Sequence, residues 1–119
     1  MKHVKAQQEM KTIMVGGRGC VSTQVFGEFF HTVVVRKKIM SPAEAVSAID
    51  RLERGFRVSS IAPALVRDAI AIHQRYQLRY WDSLIIATAK RMQCTEVLSE
   101  DMNDGQDYGG VIVRNPFKP

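Results

Sequence analysis

The apolar positions of this chain recur mainly at helical spacing, interrupted by short apolar runs that end in glycine, proline or acidic residues. Val25, Phe26, Phe29, Phe30, Val33 and Val34 repeat at i, i+4 and i+8. That pattern predicts a helix capped by Ser22 or Thr23 and running to about Lys38. Its polar flank carries Gln24, Glu28 and Thr32. At Ser41-Pro42-Ala43-Glu44 the next helix starts: Ser41 caps it, Pro42 takes the first helical position and Glu44 closes the capping box. Ala45, Val46, Ile49 and Leu52 turn that helix inward, and Gly55 stops it. Pro63 opens a third helix to about Tyr76, with Leu65, Val66, Ala69, Ile70 and His73 on its buried side. A fourth runs from near Trp81 to about Gln93 through Leu84, Ile85, Thr88, Ala89 and Met92. Val4, Met10, Ile13 and Met14 predict one more helix, over 2–15, ended by Gly16-Gly17-Arg18-Gly19.

Short strands are expected at 20–22, 56–60, 95–99 and 111–113. Strands alternating with helices predict an α/β fold, three-layered α/β/α, with a short and mostly parallel sheet. At 119 residues the chain is expected to be one domain over 1–119. A domain of this size buries roughly two-thirds of its unfolded surface, enough to fold without a disulfide or structural metal. No apolar run reaches the length of a membrane span. The opening MKHVKAQQEMK lacks the apolar core of a secretory signal. Cys20 and Cys94 lack CxxC spacing, so buried, reduced thiols in a cytoplasmic protein are expected.

Charge narrows the partner class. The net charge is +5, and Arg36-Lys37-Lys38, Arg51, Arg54, Arg57, Arg75, Arg79, Lys90 and Arg91 supply much of the excess. A basic surface attracts phosphate backbones whatever their sequence. Part of it has a plainer use, since Arg36, Lys37 and Lys38 end a predicted helix and complement its dipole.

Three acids stand where an open α/β sheet gathers its ligands, near the C-terminal ends of strands. Glu28 lies in the first turns of a helix leaving a strand, beside Gly27. Asp82 starts a helix between Tyr80-Trp81 and the apolar run 84–87. Asp101 follows the strand ending at Ser99, and Ser99 lies on the same face. Asp104 is a weaker fourth candidate within an Asp-Gly turn. Each acid also has a structural reading: a solvated helix glutamate, a helix-start aspartate favoured by the dipole, a turn residue. Brought together, the carboxylates make an all-oxygen nest suited to Mg²⁺ or Mn²⁺. His31 and His73 carry no catalytic assignment.

The segment YWDSLIIATAKRMQCTEVLSEDMNDGQDYGGVIVRNPF resembles the C-terminal half of a PIN domain, particularly the VapC-type toxin ribonucleases. RGCVSTQVFGEF resembles that family's second strand and following helix. The resemblance implies a metal-dependent endonuclease of single-stranded RNA, with Glu28, Asp82 and Asp101 as catalytic metal ligands. Asp104 would be an additional ligand, Ser99 a supporting hydroxyl and Mg²⁺ or Mn²⁺ the cofactor. It also implies an antitoxin protein as partner. In the family, a first strand with an Asp-Thr-Asn type motif lies mid-sheet, and no such segment is found here. The chain is therefore expected to lack the first central strand and its Asp, and to form a homodimer that covers the exposed edges. Two readings follow: a nuclease impaired by that loss, or an inactive remnant that only binds RNA or a protein.

Overall fold

The computed structural model describes residues 12–15, 19–99 and 102–116. Its elements are β1 (Thr12–Val15), β2 (Cys20–Ser22), α1 (Thr23–Phe30), a π-helix (His31–Arg36), α2 (Pro42–Gly55), β3 (Arg57–Ser59), α3 (Pro63–Tyr76), α4 (Tyr80–Arg91), β4 (Glu96–Ser99) and β5 (Ile112–Arg114). They form an α/β fold around a five-stranded sheet of order β3-β2-β1-β4-β5.

The chain's N-terminal part departs from expectation. Thr12–Val15 is a strand, not the end of a helix, and it occupies the centre of the sheet. The rest of the helix expected over 2–15 lies outside the described residues. β1 pairs antiparallel with both neighbours, Met14 opposite Cys20 on one side and Thr12 opposite Ser99 on the other. Its direction follows from its connection: residues 16–19 can turn the chain back into β2, whereas a parallel crossover needs a dozen residues or more. Parallel pairing survives on each flank, between β2 and β3 and between β4 and β5. The sheet is therefore mixed, with one reversed strand at its middle. β1 fills the central position that was expected to be vacant.

The helices obey their local signals. Ser22, not Thr23, caps α1 through its hydroxyl, which accepts from the Val25 N–H. α2 has its full capping box: the Glu44 N–H donates to Ser41 Oγ and the Ser41 N–H to Glu44 Oε1. The long helix expected to reach Lys38 is α-helical only to Phe30 and then widens into a π-turn closed by the Lys37 N–H on the Thr32 carbonyl. The run Val33-Val34-Val35 crowds the preceding turn of an α-helix, and the wider turn relieves it.

Two core clusters result. The larger joins Met14, Leu84, Ile86, Val97 and Val113 with α3, through Leu65, Ala69 and Ile72. α4 is buried from Ser83 to Ala89, on every face. The smaller cluster packs Phe29 and Val33 against Met40, Ala45 and Ala48. Val46 and Ile70, expected inside, are exposed, as is His73. Ala48 and Ile72 take the inward positions instead. Among the described residues no helix is long and apolar enough to cross a membrane.

Candidate metal centre

Strands β2 and β4 flank the reversed β1 and run the same way. Chain order reverses between them, so their C-terminal ends bound the crevice where an open α/β sheet takes its ligands. Ser22 ends β2 and Ser99 ends β4, and both are fully buried. α1 leaves β2 without a linker, which sets Gln24 and Glu28 at its first and second turns.

Glu28 is exposed, and Gln24 beneath it is 9% exposed. The Gln24 side-chain amide donates to Glu28 Oε1 at 2.7 Å. The same nitrogen reaches the Trp81 carbonyl at 3.4 Å. One amide thus ties the Glu28 helix to the first turn of α4, next to Asp82. An open groove of about 520 Å³ runs along this face past Thr23, Gln24, Gly27, Glu28, His31 and Arg36. A Cβ added at Gly27 would meet nothing within 4 Å, so the glycine leaves that wall of the groove low beside Glu28.

Asp82 sits in the first turn of α4 with its side chain 16% exposed, paired at 3.1 Å with the outward-facing Arg79. The turn that presents it is fixed by Ser83, whose hydroxyl donates toward the Leu78 and Arg79 carbonyls. The His73 ring also bonds the Leu78 carbonyl, at 2.6 Å through Nδ1. This histidine braces the α3–α4 corner. The Tyr108 phenol has a raised pKa, first from burial and then from the nearby negative charge of Asp82.

The remaining predicted residues differ in their fates. Ser99 lies in β4 opposite Thr12, buried at the sheet's ligand edge. Asp104 is engaged structurally: its Oδ1 accepts the Asn115 N–H at 2.8 Å and fastens the chain after β5. Asp101 lies outside the described residues. Among the described residues no three acidic, histidine or cysteine side chains are grouped to hold a metal ion. The link made by Gln24 is therefore what associates Glu28 with the helix of Asp82.

The donors at this edge suit a hard divalent cation. They are carboxylate and hydroxyl oxygens, with no sulfur among them. Among the described residues the buried amide oxygen Gln24 Oε1 has no hydrogen-bond partner. The chain matches the family model of the PIN domain over residues 2–103. It belongs to the PIN domain family. No curated protein matches it. PIN domains are in general metal-dependent nucleases and typically bind divalent ions, which agrees with the oxygen-rich crevice. Within this PIN domain, the sequence pattern puts Gln24 on the polar flank with Glu28 and assigns it no role. Its spacing of four residues from Glu28 was the available signal, since i and i+4 side chains meet on a helix. Tyr108 gave no such signal, because a loop brings it to Asp82.

Proposed function

We propose that this chain is a Mg²⁺- or Mn²⁺-dependent endonuclease of single-stranded RNA, of the VapC toxin type, using Glu28, Asp82 and Asp101 as metal ligands. The observation that carries this reading is the Gln24 bridge, which joins Glu28 to the helix start of Asp82 at the ligand edge of the sheet. A bound divalent ion would activate water and stabilise charge on the phosphate and the leaving oxygen. The chain's own residues bind and orient. Arg36 lines the groove that holds Glu28, and Arg79, its side chain 69% exposed, stands over Asp82. Both can take phosphate oxygens, contacts that fix register without reading bases.

Preference for single strands is supported by Trp81, which is 55% exposed beside Asp82. A large ring in solvent is a stacking surface for an unpaired base, which a duplex does not offer. The groove would also seat a peptide of a neutralising protein partner.

The test is cleavage of a fluorescent single-stranded RNA with Mg²⁺, Mn²⁺ or EDTA, comparing the parent with Asp82→Ala and Glu28→Gln. Metal-dependent cleavage should fall roughly 100-fold or more in each variant, the scale of losing a metal ligand's contribution. Retention of RNA without cleavage by the parent would replace this reading with a binding role.

A further inference from the structure

A buried carboxamide is expected to satisfy its two donor hydrogens and its acceptor oxygen. Gln24 does not. Its nitrogen serves Glu28 and the Trp81 carbonyl, while its Oε1 is buried with no partner among the described residues. Turning the amide over does not repair this. It would set Oε1 against a carboxylate and a carbonyl, both acceptors, and strand the nitrogen instead. The orientation is therefore fixed by what the nitrogen holds, and the orphaned oxygen is its consequence.

A buried acceptor without a partner works against folding. Methionine has nearly the same length and volume and carries no such acceptor. Gln24 is thus a poor choice for stability alone, and its use lies in its two donor contacts. Glu28 stands on the exposed side of α1 with a long, rotatable side chain. The Gln24 amide, one turn back, engages Oε1 and sets the direction of Oε2. The Trp81 carbonyl in turn anchors Gln24 to the helix start that carries Asp82.

We infer that Gln24 is the positioning residue of the metal centre: its amide holds the Glu28 carboxylate in its cation-receiving orientation and sets its place relative to Asp82. This inference rests on the reading of Glu28 as a metal ligand. Gln24 acts through Glu28, so its loss should weaken metal binding while sparing RNA affinity.

The experiment is calorimetric Mn²⁺ titration of the full chain, with metal-free thermal melts and RNA cleavage kinetics, for the parent, Gln24→Met, Gln24→Asn and Glu28→Gln. Gln24→Met should bind Mn²⁺ roughly 10-fold or more weakly, as when a ligand loses its outer hydrogen bond. It should melt no lower than the parent, leave the KM for RNA unchanged, and regain kcat at saturating Mn²⁺. Gln24→Asn keeps the amide one methylene too short. It should show the same Mn²⁺ defect, and it serves in place of Gln24→Met if that variant does not fold. Unchanged Mn²⁺ affinity in the Gln24 variants, with Glu28→Gln impaired, overturns the inference alone. Unchanged affinity in Glu28→Gln, or no Mn²⁺ binding by the parent, overturns the ligand reading beneath it.

Discussion

On one side of β1, α4 is buried from Ser83 to Ala89 and α3 packs along it, so β4 and β5 rest on a thick apolar layer. On the other side, α1 buries Val25 and Phe29 but turns Gly27 and Glu28 to an open groove, then loosens into a π-turn. The two halves have the same kind of parallel strand pair, so pairing does not distinguish them. What differs is how much of each leading helix is committed to the core. Asp82 is carried by the half with the thicker core, and Glu28 by the half that lines the open groove. The division sets one candidate acid on a tightly packed helix and the other on an accessible wall.

The comparison can be broken most sharply in the core. Ile86→Ala should cost about 2–5 kcal/mol in urea unfolding, because the side chain is fully buried in the larger cluster. Val33→Ala, in the smaller cluster, should cost roughly 2 kcal/mol, and equal losses would erase the distinction between the halves. The seam between the halves is expected to be sensitive to alkali. Burial, and then the neighbouring Cys94, push the Cys20 thiol from 9.0 up to about 11 against the opposing pull of Arg57. The folded state therefore keeps a proton that the unfolded chain releases. Stability should be constant in this respect below pH 9 and fall by roughly 2–3 kcal/mol by pH 11. Unfolding measured at pH 8 and pH 10.5 should show a smaller difference in Cys20→Ala. Tyr108, also raised, adds a loss of the same sign above pH 10. The smallest effect belongs to the exposed capping box of α2. Ser41→Ala should lower stability by about 1 kcal/mol, leaving cleavage unchanged.

What could be read in the sequence was local. The capping box at Ser41 and Glu44, a cap at Ser22 or Thr23 and the apolar run of α4 are each decided within a few residues, and each is present. β1 could not be read that way. Thr12, Ile13 and Val15 are β-branched, but four residues carry little propensity, and their strand state comes from pairing with Ser99, Leu98 and Glu96 far along the chain. The same limit hid the π-turn, where periodicity continues smoothly while the hydrogen bonds widen. For the site, the sequence singled out Glu28 and Asp82 by their place after a strand and at a helix start. It could not show that Gln24 turns inward to link them, nor that Asp104 is occupied with Asn115, because both depend on tertiary approach.

The reversed middle strand also fixes an order of assembly. The β1–β2 ladder closes only residues 16–19, whereas the β1–β4 ladder closes most of the chain. Loop-closure entropy rises with length, and contacts between distant residues form late. During synthesis the helix bearing Glu28 is made first, and domains build from the N-terminal end. The segment bearing Asp82 follows, and β4 must then find the open side of β1. On the reading proposed above, a nascent chain carries only one of the two candidate acids, Glu28, for much of its translation, and Asp82 joins it as the long-range β1–β4 ladder closes.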